Sequence, residues 1–153
     1  MSPTKSLREK FAVTFETPIQ WGEMDAFQHV NNLIYLRWFE SVRIEYFLRT
    51  GVLEDLRETN HGPILKSSQI RYRYPLSFPG KILAGTNISK IASDRVEMNY
   101  QIVGLEKDVL AAEGSTEVVW FDFNKQRPTN ISDKLLGQFK KLNPEVESPQ
   151  VLV

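Results

Sequence analysis

One run of residues decides most of what this chain can fold into. Residues 32–50, NLIYLRWFESVRIEYFLRT, place Tyr35, Trp38, Phe39, Val42 and Tyr46 at three-, four- and seven-residue steps. That is the period of one helical face. Leu33, Leu36, Ile44 and Leu48 add apolar groups on other faces. A helix apolar around most of its surface is buried on more than one side. Asn31 or Asn32 serves as its cap and Gly51 as its stop. The spacing predicts a helix over 32–50.

Most of the remaining chain alternates with a period of two. In FAVTFETPIQW, Phe11, Val13, Phe15, Ile19 and Trp21 share one parity, which reads as a half-buried strand. Pro18 in that run marks an edge or a bulge. A polar loop is expected to about Gly62. SQIRYRYPL, KILAGTNISKI, RVEMNYQIV and DVLAAEGSTEVVWFDF then read as four strands, with turns at SFPG, ASD and LEKD. A short helix capped by Ser132 closes the pattern, with Leu135, Leu136, Phe139 and Leu142 on its apolar face and Pro144 after its end. The expected organisation is a polar tail over 1–10, one domain over 11–143 and a tail over 144–153. The class is α+β: a curved antiparallel sheet of about five strands wrapped round one long helix, because the sheet's apolar face needs a cover. A sheet edge left open would be covered by a second subunit, so a dimer or higher oligomer is expected.

Composition removes whole function classes. The 19 basic and 19 acidic side chains cancel, whereas nucleic-acid binding needs a clustered positive field. The absence of cysteine excludes disulfides, thiolate metal sites and a cysteine nucleophile. No apolar span reaches the length of a membrane helix. MSPTKSLREK lacks the apolar stretch of a signal peptide. A cytoplasmic protein with no membrane partner is the expectation.

The chemistry concentrates between the first strand and the long helix. Asp25, His29, Asn31 and Asn32 fall within WGEMDAFQHVNN. The first amides of a helix have no acceptor inside it and carry the positive end of its dipole. They can receive a carbonyl oxygen that becomes an oxyanion. An aspartate beside them can attack that carbonyl or deprotonate a water. The competing reading is that Asp, His and Asn simply cap and turn the chain. A metal at Asp25 and His29 would have too few ligands, since His61 is the one other histidine. No nucleophile elbow, phosphate-binding loop or dinucleotide fingerprint is present. Glu40 and Glu45 face different directions, and Glu40 and Arg43 are spaced to pair.

Asp25, His29-Val30-Asn31-Asn32, Tyr35, Phe39-Glu40 and Arg43-Ile44-Glu45, supported by IRYRYPLSFPGKI, together resemble the signature of hotdog-fold acyl-CoA thioesterases of the 4-hydroxybenzoyl-CoA thioesterase family. The resemblance covers roughly residues 11–125. It implies a hotdog fold with helix 32–50 at its centre. Asp25 would be nucleophile or general base, and the Asn32 amide would polarise the thioester carbonyl. His29 would belong to the catalytic loop, orienting it or the water. Asn31 and Tyr35 of the motif would meet the substrate. Gln28 departs from the pattern, standing where many relatives carry glycine.

The implied reaction is hydrolysis of an acyl-CoA, with CoA as part of the substrate and no further cofactor. The implied assembly is a homodimer or homotetramer with active sites between subunits. Lys90, Arg95 and Arg127, near predicted strand ends, are candidate phosphate contacts. Three rivals stand beside this reading: a thioesterase acting on acyl carrier protein, a non-catalytic acyl-CoA binding protein, and a hydratase or dehydratase on the same fold.

Overall fold

The computed structural model describes residues 1–146. In chain order the elements are α1 (Pro3–Lys10), β1 (Val13–Pro18), α2 (Asn32–Thr50), α3 (Val52–Thr59), β2 (His61–Tyr72), β3 (Lys81–Ile91), β4 (Arg95–Gly104), β5 (Val109–Asp122), β6 (Arg127–Pro128) and α4 (Asp133–Leu142). The strands pair in the order β1-β3-β4-β5-β2, and the short β6 pairs with β5. This α+β arrangement, one antiparallel sheet and one long helix, is the hotdog fold that the resemblance implies. The helix expected over 32–50 has those bounds. No helix among the described residues is long and apolar enough to cross a membrane.

The chain forms two compact units. One comprises Met1–Glu45, Ile70–Thr86 and Tyr100–Gly114. In it, Tyr35, Trp38, Phe39 and Val42 of α2 are buried. Phe39 stacks on Tyr100 of β4 with ring centroids 4.4 Å apart. The Arg43 guanidinium, also buried, donates to the Tyr100 hydroxyl at 3.2 Å. Among the described residues it makes no ion pair with Glu40, which is exposed.

Residues 82–86 of β3 are all buried, so both faces of the strand are covered there. The second cover is α1. Residues 1–10, expected as a polar tail, form this helix instead, capped by the Ser2 hydroxyl, which accepts from the Lys5 amide. Leu7 and Phe11 join Leu83 and Val103 in a small core. Gly85 makes the approach feasible: a β-carbon there would lie 2.8 Å from Leu7 and 2.9 Å from Phe11. The Thr4 amide donates to the Asp108 carboxylate at 2.9 Å and fixes the helix start.

The other unit comprises Tyr46–Gln69, Asn87–Asn99 and the segment from Ser115. Phe47 and Phe139 each meet Trp120 edge-on at 6.0 Å. The buried Tyr46 hydroxyl donates to the Asn143 side chain at 2.7 Å, and the Ile88 amide donates to the same oxygen. Asn143 in turn donates to Asn87 at 2.8 Å. These bonds satisfy the Tyr46 hydroxyl and the Asn143 amide, whereas the buried Trp120 Nε1 of the same core has no acceptor among the described residues. The Ser132 cap predicted for α4 is formed, accepting from the Leu135 amide.

The polar loop expected to Gly62 is in fact helix α3 followed by the start of β2. Gly51 turns between α2 and α3 with φ of 84°, a left-handed conformation that glycine adopts without steric cost. Glu54 and Asp55 in the first turn complement the helix dipole. β2 is a sheet edge, and residues 64–69 are exposed, Ile64 and Leu65 among them. Of the tail expected over 144–153, residues 147–153 lie outside the described residues.

Candidate active site

The loop before α2 is a closed turn built by its own backbone. Met24 and Val30 pair as an isolated antiparallel bridge. The Asp25 amide donates to the His29 carbonyl at 2.8 Å, and the Gln28 amide to the Asp25 carbonyl at 3.0 Å. The Asp25 carboxylate accepts from the Phe27 amide at 2.9 Å, the two-residue reach that makes aspartate a turn former. Closing the turn puts Gln28 in the left-handed region, φ 63°. This is the position where the motif departs from glycine.

The segment after β2 holds this loop. The Val30 amide donates to the Leu76 carbonyl at 2.8 Å, and the Ser77 hydroxyl to the Gln28 carbonyl at 2.9 Å. The Phe78 amide points at the Met24 sulfur, 3.3 Å away. Val30 is buried and anchors the loop, while Asp25 and His29 stay exposed. The turn's hydrogen bond occupies one Asp25 oxygen, and the carboxylate keeps acceptor capacity toward solvent.

At the start of α2 the amides are shared out unevenly. Asn31 is the cap: its side chain accepts from the Leu33 amide at 3.0 Å, and its carbonyl from Ile34 at 2.9 Å. The Asn32 amide has no acceptor among the described residues. The first turn of α2 has no acidic residue, so no carboxylate of its own neutralises the positive end of the dipole. The Asn32 carbonyl is held from outside, accepting from the Tyr72 hydroxyl at 3.0 Å.

Asp25, His29, Asn32 and Tyr35 border one hollow of about 340 Å³. Its other wall comes from the end of β2 and beyond: Tyr72, Arg73, Tyr74 and Pro75. Tyr35 is buried and meets Tyr72 edge-on at 5.2 Å. Burial pushes its phenol up to about 12, against the opposing effect of the Leu76 amide, so it stays neutral and serves as wall rather than base. Arg73 is tied to Glu113 at 2.8 Å, which holds the Glu113 carboxyl below the usual range.

Five of the eight residues singled out in the sequence therefore gather at or beside this hollow: Asp25, His29, Asn32 and Tyr35 line it, and Asn31 caps the helix at its edge. The three basic candidates do not line it. Arg95 has its guanidinium engaged by Asp94 at 3.0 Å and Glu117 at 2.7 Å; Lys90 and Arg127 are exposed. His61 pairs with Asp122 at 3.3 Å. Among the described residues no three His, Asp or Glu side chains gather as a metal site would require. The sequence reads the wall residues Tyr72 and Tyr74 only as part of a strand and not as site residues. β2 ends at Tyr72, and there the tyrosines border the hollow. Trp21, expected on the buried parity of β1, sits in a short 3-10 turn and is 72% exposed.

Comparison with known proteins identifies the family and the fold of the chain. The family model described as Thioesterase-like superfamily matches residues 19–139. The chloroplastic acyl-acyl carrier protein thioesterase ATL3 of Arabidopsis thaliana is 24% identical over 125 residues, 81% of this chain and 65% of that protein. The chain thus spans about two thirds of that relative's length. Among solved structures, a thioesterase of Thermus thermophilus complexed with coenzyme A and zinc superposes with a TM-score of 0.79 at 20% identity, covering 90% of this chain and 98% of the other. A putative thioesterase of Pseudomonas aeruginosa gives 0.74 at 25% identity, covering 84% and 98%.

Proposed function

We propose that this chain, which belongs to the thioesterase-like superfamily, hydrolyses an acyl-CoA thioester to the free acid and CoA. One observation carries the reading: an exposed carboxylate and an unpartnered helix-start amide, Asp25 and Asn32, border the same hollow. The thioester carbonyl oxygen accepts a hydrogen bond from the Asn32 amide, and the α2 dipole stabilises the charge that develops on it. Asp25 then attacks the carbonyl carbon to give a mixed anhydride that water hydrolyses to the free acid, or removes a proton from a water that attacks the carbonyl directly. The thiolate leaves unaided, because a thiol of pKa about 8.5 needs little help near neutral pH. A site with no second acid is sufficient for a thioester. His29, exposed on the same loop, orients that loop or the water.

The open β2 edge, with Ile64 and Leu65 exposed, supports assembly of two copies through this strand. Lys90 and Arg127 remain the candidate CoA phosphate contacts, to be tested by charge removal; Arg95 is the weakest of the three because two carboxylates already hold it. A second reading takes acyl carrier protein as the thiol, favoured by the name of the Arabidopsis relative.

The test is free-thiol release from a panel of acyl-CoA and acyl-carrier-protein substrates, with wild type and Asp25→Asn in parallel. The proposal expects release from CoA esters and its loss in the variant. Equal turnover by the two proteins on the best substrate would remove Asp25 from the mechanism. Cleavage of carrier-protein esters alone would establish the second reading.

A further inference from the structure

Residues 25–29, which carry Asp25 and His29, are all exposed. Packing therefore does little to set where the Asp25 carboxylate stands, and hydrogen bonds must do it. Those within the turn, donated by the Asp25, Phe27 and Gln28 amides, fix its shape. They do not fix its orientation relative to the Asn32 amide, because both ends of each bond move together. The turn is anchored at its base by Met24, half-buried, and Val30, buried. Between those anchors one bond arrives from elsewhere in the fold: the Ser77 hydroxyl donates to the Gln28 carbonyl at 2.9 Å. Among the described residues no other hydrogen bond from outside the turn ends on residues 25–29.

Two properties give this exposed bond weight. Its donor comes from a fixed frame. The Arg73 and Tyr74 amides donate to the Ala111 carbonyl at 2.8 and 3.2 Å, and the Ile19 amide donates to the Gly80 carbonyl at 2.7 Å. Leu76, next to Ser77, is buried. Its acceptor is the strained point of the turn. Gln28 is left-handed at φ 63°, a conformation that an ordinary side chain keeps only where its surroundings hold it. The held carbonyl belongs to the peptide that leads into His29, and the His29 carbonyl accepts from the Asp25 amide at 2.8 Å. Orientation thus passes from Ser77 through His29 to Asp25.

We infer that Ser77 is a positioning residue, whose hydroxyl holds the exposed turn so that the Asp25 carboxylate faces a carbonyl bound at the Asn32 amide. The inference rests on the thioesterase reading and deepens it. Ser77 does not line the hollow, so its effect on a substrate runs through Asp25.

The experiment has a turnover arm and an exchange arm. Thiol release from the best acyl-CoA ester is measured for wild type, Ser77→Ala, Ser77→Val and Ser77→Thr. Val and Thr are close in shape and differ by the hydroxyl. Ser77→Ala and Ser77→Val are expected to lower kcat roughly fivefold, the scale of one hydrogen bond, with KM little changed. Ser77→Thr should stay near wild type. In an Asp25→Asn background, Ser77→Ala should cost nothing further, since residues that act as one are not additive. In the second arm, amide hydrogen exchange followed by NMR should be faster at Asp25 and Gln28 in Ser77→Ala and Ser77→Val, and restored in Ser77→Thr.

An unchanged kcat in both Ser77→Ala and Ser77→Val overturns the inference. So does a loss in Ser77→Thr as large as in Ser77→Val, a loss confined to KM, or an undiminished loss in the Asp25→Asn background. Melting curves identify any variant that has not folded; if Ser77→Val is one, Ser77→Ala against Ser77→Thr decides. If wild type cleaves no ester while exchange at Asp25 and Gln28 follows the hydroxyl, the tether stands and the thioesterase reading fails.

Discussion

Two aspartate turns in this chain share a local design and differ in what surrounds them. Asp25 accepts from the amide two residues on, Phe27, at 2.9 Å; Asp122 does the same with Asn124, also at 2.9 Å. Each turn involves one of the two histidines, His29 in the first and His61 in the second. Each is followed by a glutamine in the left-handed region, Gln28 at φ 63° and Gln126 at 54°. Asp122, however, also accepts from the Lys125 amide at 3.0 Å, faces His61, and is buried. Asp25 is exposed and has no second donor among the described residues. The turn itself is thus indifferent to function. A carboxylate whose acceptor sites are filled holds the fold together, and one left with free capacity beside an unpartnered amide can act on a substrate.

The largest expected effect breaks the comparison at the chemistry. Asp25→Asn should lower kcat by roughly 10²–10⁴-fold, the usual contribution of a positioned general base. Its melting temperature should stay near wild type, since Asn can still accept from Phe27. Asp122→Asn should do the reverse, leaving turnover nearly intact and lowering the melting temperature by several degrees. Similar losses of activity at matched folded fraction in both variants would show that the filled and unfilled turns do not differ in role.

Next in size is the bond that holds the free amide in place. Tyr72→Phe removes the donor to the Asn32 carbonyl and leaves the ring against Tyr35. A hydrogen bond of this kind is worth about 1 kcal/mol, or roughly fivefold in rate if the whole of it acts on the transition state. The loss should appear in kcat with KM little changed. A change confined to KM would make Tyr72 a binding wall and nothing more.

Much of this was legible in the sequence, for reasons that are local. Helix 32–50 and strands β4 and β5 follow from apolar patterns of helical and alternating period over ten or more residues. Asp25 stood out because it precedes a helix start, whereas the role of the Asn32 amide came from the resemblance and not from the spacing. Helix α1 was missed because one residue, Leu7, carries its burial in an otherwise polar run, and its partners Leu83 and Val103 are remote in sequence. Helix α3 was missed because its polar residues outnumber Val52, Leu53 and Leu56. The second wall of the hollow was missed because Tyr72 and Tyr74 reach it from 40 residues beyond Asn32. The difference between Asp25 and Asp122 was not legible at all: it depends on what folds over each turn, and DAF and DFN look alike.

The charge state offers a finer probe of the filled turn. The Lys125 and Asn124 amides, with His61 beside them, hold the Asp122 carboxyl below the usual carboxylate range. A carboxyl depressed on folding contributes stability above its unfolded value, about 3.9, and that contribution is lost as pH falls through the lower folded value. Wild-type stability should therefore decline as pH drops below about 4, and the decline should be shallower in Asp122→Asn. Urea midpoints between pH 5 and pH 3 would measure it. Parallel declines in the two proteins would mean that Asp122 gains nothing from its donors.

The smallest effect lies in the two glutamines. A left-handed backbone costs an ordinary side chain about 1–2 kcal/mol, and glycine escapes that cost. Gln126 has something to set against it, because its side-chain amide donates to the Phe123 carbonyl at 2.8 Å. Gln28 makes no such bond among the described residues and its side chain is exposed, while its carbonyl contact with Ser77 is backbone and survives substitution. Gln28→Gly should therefore stabilise the protein by about 1 kcal/mol, some 2–4 °C in a chain of this size, with turnover retained. Gln126→Gly should gain less, because the same relief is offset by a lost hydrogen bond of similar worth. If Gln126→Gly stabilises as much as Gln28→Gly, the tether to Phe123 contributes nothing, and the two turns are alike in strain as they are in design.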